Sequence, residues 1–297
     1  LRNAVLGDTL VRMERALGKN VEAQNYIDNT GVQVADVVAA FHFLEKKSAA
    51  EVQALIDDDA TRFDFLCWDL YARISQTYKD EPRSMQWRAA TLKAIEEDEG
   101  ELAELGRTVS MAIVNHHLDT MLRLGIEYDV LPCESEILHM QFWAAAFELL
   151  KQRQAIHLET EGKLKGCWVM PASLFDEDHK EKEDEDDDED EQFEQDKVIV
   201  RSDGTVTYVG KDIAYTLWKF GLLGRDFYYE PFRDYPGGHR VWRSVSRDPG
   251  AATPSFGDGE GVFNVIDVRQ SYLQEVVKAG LLRDERILDL LEDEAPP

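Results

Sequence analysis

The apolar pattern changes character twice along the chain, and this change limits the possible folds more than any other feature. Residues 1–47 combine a helical apolar spacing with a short strand-like run, and residues 126–280 do so again. Between them, residues 48–125 carry helical patterns only. Helices and strands that follow one another in quick succession favour an α/β domain with a parallel sheet. The chain is therefore predicted to be an α/β domain that is interrupted by a helical insertion.

The elements of the first half can be placed by apolar spacing and by the residues at their ends. The spacing predicts a helix over Leu1–Leu17 and a second helix that starts near Val32. VEAQNYI, at 21–27, is predicted to be a strand. Pro82 and Gly100 are predicted helix boundaries within the insertion. The insertion shows four helical patterns: AAEVQALI, DFLCWDLYARISQTY, QWRAATLKAI and a long stretch from Glu101 to Gly125.

Strand signals return after Gly125. Helices are predicted over 134–154, 212–220 and 270–280. The segment Tyr235–Glu260 is rich in Pro, Gly and Ser and is predicted to be a loop insertion. The predicted strands are IEYDVLP at 126–132, CWVMP at 167–171, the hairpin KVIVRSDGTVTYV at 197–209 with a turn at Ser202–Gly204, and the buried run VFNVIDV at 262–268.

Charge is unevenly spread along the chain. The formal net charge is −26 at pH 7, which alone opposes nucleic-acid binding because phosphate contacts need a basic surface. Much of the excess lies in one run, Asp176–Asp196, which repels itself and has almost nothing apolar to bury. We expect a disordered, solvated insertion there. The alternative is an acidic tether for a basic partner.

The positions of the cysteines and histidines argue against a disulfide framework or a bound metal. Cys67, Cys133 and Cys167 are far apart and form no CxxC pair, which is typical of a reduced compartment. His116 and His117 are adjacent, so on a helix they point about 100° apart and cannot clamp one ion. No apolar run reaches the length of about 18 residues that a membrane span needs. We therefore expect a cytoplasmic protein with no bound metal and no membrane association.

The most informative local pattern is the segment Ser202–Asp212, in which the predicted hairpin leads into a helix. This arrangement would bring Tyr208 and Asp212 close together at the edge of a sheet, with Asp212 at or near the helix N-terminus. Helix capping alone explains an acidic residue at such a position. The same holds for Glu134–Glu136, which precede another predicted helix. From the residues alone, capping and ligand binding both stay open.

Five separated stretches carry a stronger signal: LRNAVLGDTLVR at 1–12, NYIDNTGVQ at 25–33, YDVLPCESE at 128–136, VRSDGTVTYVGKDIAY at 200–215 and VIDVRQ at 265–270. They occur in this order in class I arginyl-tRNA synthetases, which the chain resembles over most of its length. One departure is Asp28-Asn29, where the family has Asn-Asp. The resemblance implies a Rossmann-like catalytic domain in two parts, 1–47 and 126–280, around the helical insertion at 48–125. Residues 281–297 would be a divergent tail.

The resemblance implies an arginine–tRNA ligase, which activates L-arginine with ATP and transfers it to tRNA-Arg. Matching motif positions assign Glu134 and Asp212 to the guanidinium group, which offers five planar N–H donors and suits bidentate carboxylates. Tyr208 would add its hydroxyl group and ring face, and Gln270 would position the amino-acid end. The resemblance implies no covalent catalytic residue. It implies Mg²⁺ together with ATP, and we expect a monomer.

The resemblance is incomplete at both ends. The family's His-x-Gly-His motif is expected before Leu1 and its Lys-Met-Ser-Lys loop after Gly280, and neither occurs in this sequence. We therefore expect a catalytic-domain fragment with little or no aminoacylation activity of its own. Three alternatives stay open: another class I synthetase such as a cysteinyl or glutaminyl enzyme, a synthetase-derived interaction protein that works through its acidic run, and an α/β domain of unrelated role.

Overall fold

The computed structural model describes residues 1–139, 142–175 and 196–281. The predicted acidic insertion lies outside these ranges except for Asp196, and the predicted tail lies outside them except for Leu281. The helices are α1 (Arg2–Ala16), α2 (Val32–Ala39), α3 (Ala49–Ile56), α4 (Phe63–Asp80), α5 (Met85–Glu97), α6 (Gly100–Leu122), α7 (Glu134–His139), α8 (Phe142–Gln152), α9 (Tyr208–Lys219) and α10 (Ser271–Leu281). The strands are β1 (Val130–Leu131), β2 (His157–Leu158), β3 (Trp168–Met170), β4 (Lys197–Val200), β5 (Tyr228–Asp234) and β6 (Arg240–Val245).

Contacts within the chain divide it into two compact units. The first unit contains residues 1–22, 136–229 and 245–297, and the second contains residues 23–135 and 230–244. The predicted division of a catalytic domain by an insertion at 48–125 is a separate question and stays a prediction. In the described ranges, no helix combines the length and the apolarity needed to cross a membrane.

Helices α2–α6 form the core of the second unit. The helices predicted for this part of the chain are confirmed, and so are the boundaries: Pro82 opens a 3₁₀ turn before α5, and Gly100 opens α6. Ser48 and Glu51 start α3 with a reciprocal capping box. Residues from several of these helices bury their side chains together, among them Val38, Phe63, Leu70, Ile74 and Leu105.

A buried ion pair lies within this helical core. The side chain of Asp36 is 0% exposed, and that of Arg88 is 27% exposed. Arg88 donates from Nε to Asp36 Oδ1 at 2.8 Å and from Nη2 to Oδ2 at 2.7 Å. Its guanidinium group also lies 4.7 Å from the centroid of the Tyr78 ring. This bidentate pair ties α5 to α2.

The second unit also contains parallel strand pairing. β1 runs parallel to β6, which lies between β1 and β5 in the sheet. The predicted strand at 21–27 forms two isolated parallel bridges, from Gln24 to Val130 and from Ile27 to Cys133. Helices that alternate with parallel pairing confirm the predicted α/β class.

The predicted loop insertion at Tyr235–Glu260 is wrong in its first part, because β6 lies within it. Tyr235 closes the turn between β5 and β6 by donating its N–H to the carbonyl oxygen of His239 at 2.7 Å. Gly238 in this turn has a φ of 85°, which glycine adopts without a steric penalty. The cluster of Pro and Gly is therefore a hairpin turn that continues the sheet.

The first unit combines helices with an antiparallel sheet of strand order β2-β3-β4. Helix α9 contacts α8, α10 and β4, so it lies at the centre of this packing. The helices predicted over 1–17, 134–154 and 270–280 are confirmed by α1, by α7 with α8, and by α10. Large side chains that are fully buried in this unit include Ile137, Phe142, Leu150 and Trp218.

The helix after the predicted hairpin starts earlier than expected. α9 begins at Tyr208, and the second predicted strand is reduced to one bridge between Val200 and Val206. Asp212 therefore lies in the second turn of α9, four residues after the helix begins, and is not one of its capping residues. The physical reason is that the early start buries apolar residues at i, i+4 spacing on one helix face, namely Val209, Ile213 and Leu217.

The run VFNVIDV at 262–268 is not the buried strand that its apolar residues predict. It has no strand structure, and Phe263 is 66% exposed. Side chains hold it instead: Lys219 donates to Asn264 Oδ1 at 2.8 Å, and Asn264 Nδ2 donates to Gln274 Oε1 at 2.8 Å. Apolar content alone does not provide a neighbouring strand to satisfy the backbone, and without that pairing a strand does not form.

Candidate functional site

A cluster of two phenols and one ammonium group surrounds Tyr208 in the first unit. Tyr208 is the first residue of α9 and is 54% exposed. Its hydroxyl oxygen lies 3.4 Å from that of Tyr272, in the first turn of α10. Lys197, the first residue of β4, donates from Nζ to the Tyr272 oxygen at 2.5 Å. Three structural elements therefore start at this cluster.

Asp212 follows Tyr208 by one helical turn, so both side chains project from the same face of α9. Asp212 is half-buried. Its charge acts on Lys219, two turns further along the helix: burial lowers the pKa of Lys219 to about 8, and the Asp212 carboxylate opposes this shift. The α9 face that carries Tyr208 therefore also carries a negative charge.

Gln270 is exposed and ends a 3₁₀ turn, Val268–Gln270, directly before α10. Asp267 fixes this turn. Its carboxylate accepts from the N–H of Arg269 at 3.1 Å, and its carbonyl accepts from the N–H of Gln270 at 2.9 Å. The position of Gln270 is therefore tied to the start of the helix that carries Tyr272.

Glu134 lies in the second unit, where hydroxyl groups hold its carboxylate. Tyr26 donates to Glu134 Oε2 at 3.1 Å, and Thr30 donates to Oε1 at 2.8 Å. The N–H of Glu134 donates to the carbonyl of Ile27 at 2.9 Å. Because each oxygen accepts a separate hydrogen bond, the plane of the carboxylate is fixed by the segment 26–30.

Asn29 and Ser135 join the same two segments reciprocally. Asn29 Nδ2 donates to Ser135 Oγ at 2.9 Å, and the N–H of Ser135 donates to Asn29 Oδ1 at 3.1 Å. The neighbouring Asp28 folds over Gly31, where an added Cβ would come within 2.5 Å of a carboxylate oxygen. In the Asp28-Asn29 pair, the second residue therefore links the two segments, and the carboxylate of the first occupies the space beside Gly31.

No family model matches the chain. The chain is similar to the arginine–tRNA ligase of Thermococcus kodakarensis, with 35% identity over 283 residues, which cover 94% of this chain and 42% of that protein. The arginine–tRNA ligase of Deinococcus radiodurans is 33% identical over 282 residues, which cover 95% and 41%. The fold is similar to that of Thermus thermophilus arginyl-tRNA synthetase, with a TM-score of 0.70 and 29% identity over 98% of this chain and 43% of that chain. The chain belongs to the arginyl-tRNA synthetase family.

The chain spans about two fifths of the length of its curated relatives, 42% in the first case and 41% in the second. The family assignment decides against a cysteinyl or glutaminyl enzyme and against an unrelated α/β domain. Of the residues that the resemblance assigns to arginine, the first unit holds Tyr208, Asp212 and Gln270, and the second unit holds Glu134.

Sequence reasoning missed the residues that contact two of these side chains. For Glu134 they are Tyr26 and Thr30, and for Tyr208 they are Tyr272 and Lys197. The signal for the first pair was present, since NYIDNTGVQ and YDVLPCESE are both family stretches and parallel bridges place them side by side. The second pair gave no such signal, because Lys197, Tyr208 and Tyr272 lie at the starts of three elements that are far apart in the sequence.

One group of possible metal ligands was not singled out from the sequence. His157, Glu159 and Asp196 place one nitrogen and two carboxylate oxygens within 4.8 Å of one another. Both carboxylates also accept backbone N–H groups, Glu159 from Thr160 at 2.8 Å and Asp196 from Ala172 at 3.0 Å. The acidic residues therefore have a role in the fold, and no metal is assigned to them.

Proposed function

We propose that the chain carries the L-arginine-recognition residues of an arginine–tRNA ligase, an enzyme that uses ATP to attach L-arginine to tRNA-Arg. The observation that carries this proposal is the likeness to arginine–tRNA ligases over 94% of the chain. MgATP and tRNA-Arg are the other proposed substrates of the whole enzyme. A cytoplasmic monomer is the proposed form.

Glu134 and Asp212 are the proposed carboxylates for the guanidinium group. A guanidinium offers five N–H donors and no acceptor, and a carboxylate offers about four lone-pair positions. Glu134 accepts one hydrogen bond on each oxygen, from the neutral hydroxyl groups of Tyr26 and Thr30, and these two bonds orient its carboxylate. Asp212 shares its helix face with Tyr208, whose hydroxyl group and ring face are the proposed further contacts.

Gln270 is the proposed contact for the amino-acid end of the substrate. Its side-chain amide has both donors and an acceptor, which match the α-carboxylate and the α-ammonium group of arginine. Its place directly before α10, two residues from Tyr272, whose hydroxyl oxygen lies 3.4 Å from that of Tyr208, supports this role.

The proposed reaction has two steps. A carboxylate oxygen of arginine attacks the α-phosphorus of ATP. The bond between this phosphorus and the oxygen that bridges it to the β-phosphate breaks, and pyrophosphate leaves. The terminal ribose hydroxyl of the tRNA then attacks the carbonyl carbon of the adenylate, AMP leaves and the hydroxyl proton is lost. Catalysis of this kind depends on positioning and electrostatic stabilisation, without a covalent enzyme intermediate.

Selectivity follows from the same groups. Lysine carries a compact ammonium group that cannot pair with two carboxylates in bidentate geometry. Citrulline has a neutral urea group, which leaves the carboxylates without a compensating charge. A site that is built from such polar groups rejects both analogues because its own groups would lose their partners.

The test is calorimetric titration of the purified chain with L-arginine, with L-lysine and L-citrulline as control ligands. We expect arginine-selective binding that Asp212→Asn weakens by about tenfold to a hundredfold, the size of a charge-assisted hydrogen-bond pair. Asp203→Asn is the matched control, because asparagine keeps the turn that Asp203 forms with Thr205. A chain that is folded by circular dichroism and shows no preference for arginine over citrulline contradicts the proposal.

A further inference from the structure

The cluster at Tyr208 contains more than the one residue that the proposed arginine site uses. Tyr272 and Lys197 lie in the first unit with Tyr208, and each is at the start of its element. The Lys197 ammonium group lies 4.7 Å from the Tyr272 ring centroid and 5.9 Å from the Tyr208 ring centroid. Its contact to the Tyr272 oxygen is short, at 2.5 Å. The ammonium group therefore acts mainly on Tyr272.

The chemistry of Lys197 sets the direction of the hydrogen bonds. A lysine ammonium group has three donors and no acceptor, so the Tyr272 oxygen must accept from Lys197. An oxygen that accepts from a cation becomes a poorer acceptor and its own hydroxyl a better donor, because hydrogen bonds in a chain polarise one another. Of the two directions open to the Tyr208–Tyr272 contact at 3.4 Å, donation from Tyr272 to Tyr208 is therefore favoured.

This direction decides what Tyr208 can offer to a ligand. Its oxygen accepts from Tyr272 on one side and keeps a second lone pair, while its own proton points away from Tyr272. Burial raises the pKa of Tyr208, so this proton is present at neutral pH. A guanidinium group has only donors and needs the lone pair, whereas the proton suits a carboxylate.

We propose that Tyr272, with Lys197 behind it, is a positioning residue that fixes the Tyr208 hydroxyl group so that its free lone pair accepts from the guanidinium of L-arginine. This inference rests on the proposed function. It adds two residues to the site that do not touch the ligand and act through Tyr208.

The affinity of single and double variants for L-arginine tests whether Tyr272 acts through Tyr208. We expect Tyr272→Phe to weaken L-arginine binding about threefold to tenfold, the value of one neutral hydrogen bond. The double variant with Tyr208→Phe should bind no more weakly than Tyr208→Phe alone, since the second hydroxyl has then lost its target. Lys197→Met should weaken binding, and Lys197→Arg should restore it because arginine also donates. Tyr228→Phe, an exposed tyrosine of the same unit, is the matched control and should have no effect.

Additive losses in the double variant, or full affinity in Tyr272→Phe, would overturn the proposal, since Tyr272 would then act independently or not at all.

The second readout needs no arginine. In chains labelled with fluorotyrosine, fluorine NMR follows the ionisation of Tyr208, whose signal is assigned by its loss in Tyr208→Phe. If Tyr272 donates to Tyr208, it stabilises the Tyr208 phenolate, and Tyr272→Phe should move this ionisation to higher pH. A move to lower pH means that Tyr208 is the donor and refutes the inference.

The two readouts separate the failure of this inference from failure of the proposed function. If the parent chain binds no arginine, the proposed function of this chain is contradicted. The direction of the NMR shift then decides the positioning of Tyr208 by itself.

Discussion

Replacement of Arg88 by methionine would leave a buried carboxylate without its cationic partner. Asp36 is 0% exposed, and both of its oxygens accept from Arg88, at 2.8 Å and 2.7 Å. Methionine keeps much of the length and apolar volume of the arginine stem, so the main change is the loss of the guanidinium group. The perturbation therefore isolates the electrostatic part of the contact between α2 and α5.

The expected loss in the free energy of unfolding is about 3–4 kcal/mol. Breaking a buried pair by removal of one partner costs about 3–5 kcal/mol, because the remaining charge stays desolvated. The lower part of this range applies since Arg88 is 27% exposed and some water reaches the site. The cation–π contact of Arg88 with Tyr78 adds about 0.5–1 kcal/mol.

Urea unfolding followed by circular dichroism measures this loss at pH 7. The expected result is a lower midpoint urea concentration at an unchanged slope, since the slope reports the surface exposed on unfolding.

Two further variants make the result decisive. Lys93→Met breaks an exposed ion pair with Glu97 and should leave the stability unchanged. Asp36→Leu combined with Arg88→Met should recover a large part of the loss, since an apolar pair removes the uncompensated charge. A deficit below about 1 kcal/mol at pH 7 refutes the buried-charge reasoning.

The remaining predictions concern a support residue, a close packing contact and the thiols. Tyr26→Phe removes one donor to Glu134 and should lower L-arginine affinity about threefold to tenfold by calorimetry, with unchanged thermal stability. Gly210→Ala should lower the free energy of unfolding by about 1–3 kcal/mol, because an added Cβ would lie 2.8 Å from a neighbouring side chain. Burial raises the pKa of Cys67 to about 12, so iodoacetamide at pH 8 should label the partly exposed Cys167 first, as mass spectrometry of the peptides would show.

The helices were predictable because their local signals agree with their packing. α3 shows this well: AAEVQALI has helical apolar spacing, and Ser48 with Glu51 forms the capping box that the sequence allows. Pro82 and Gly100 mark the ends of helices by their own backbone properties, which hold in any fold. These features need no distant residue, so one short window contains the information.

The strands were less predictable because they depend on partners elsewhere in the chain. VFNVIDV at 262–268 has a strand-like composition and stays irregular, whereas RVWRSV at 240–245 lies in a predicted loop and forms β6. β6 pairs with β1, which lies more than a hundred residues earlier. The residues around either segment give no information about that partner. Composition alone therefore predicts a strand for the wrong one of the two segments.

The same limit explains why the carboxylates of this family could not be assigned from residue type. Asp36 lies within α2 and Glu134 is the first residue of α7, and residue type alone does not tell their roles apart. Arg88 cancels the charge of Asp36, whereas the hydroxyl groups of Tyr26 and Thr30 orient Glu134 without cancelling its charge. The identity of these donors, which only the tertiary structure supplies, therefore distinguishes Asp36, whose charge is cancelled within the helical core, from Glu134, the proposed ligand of the guanidinium group.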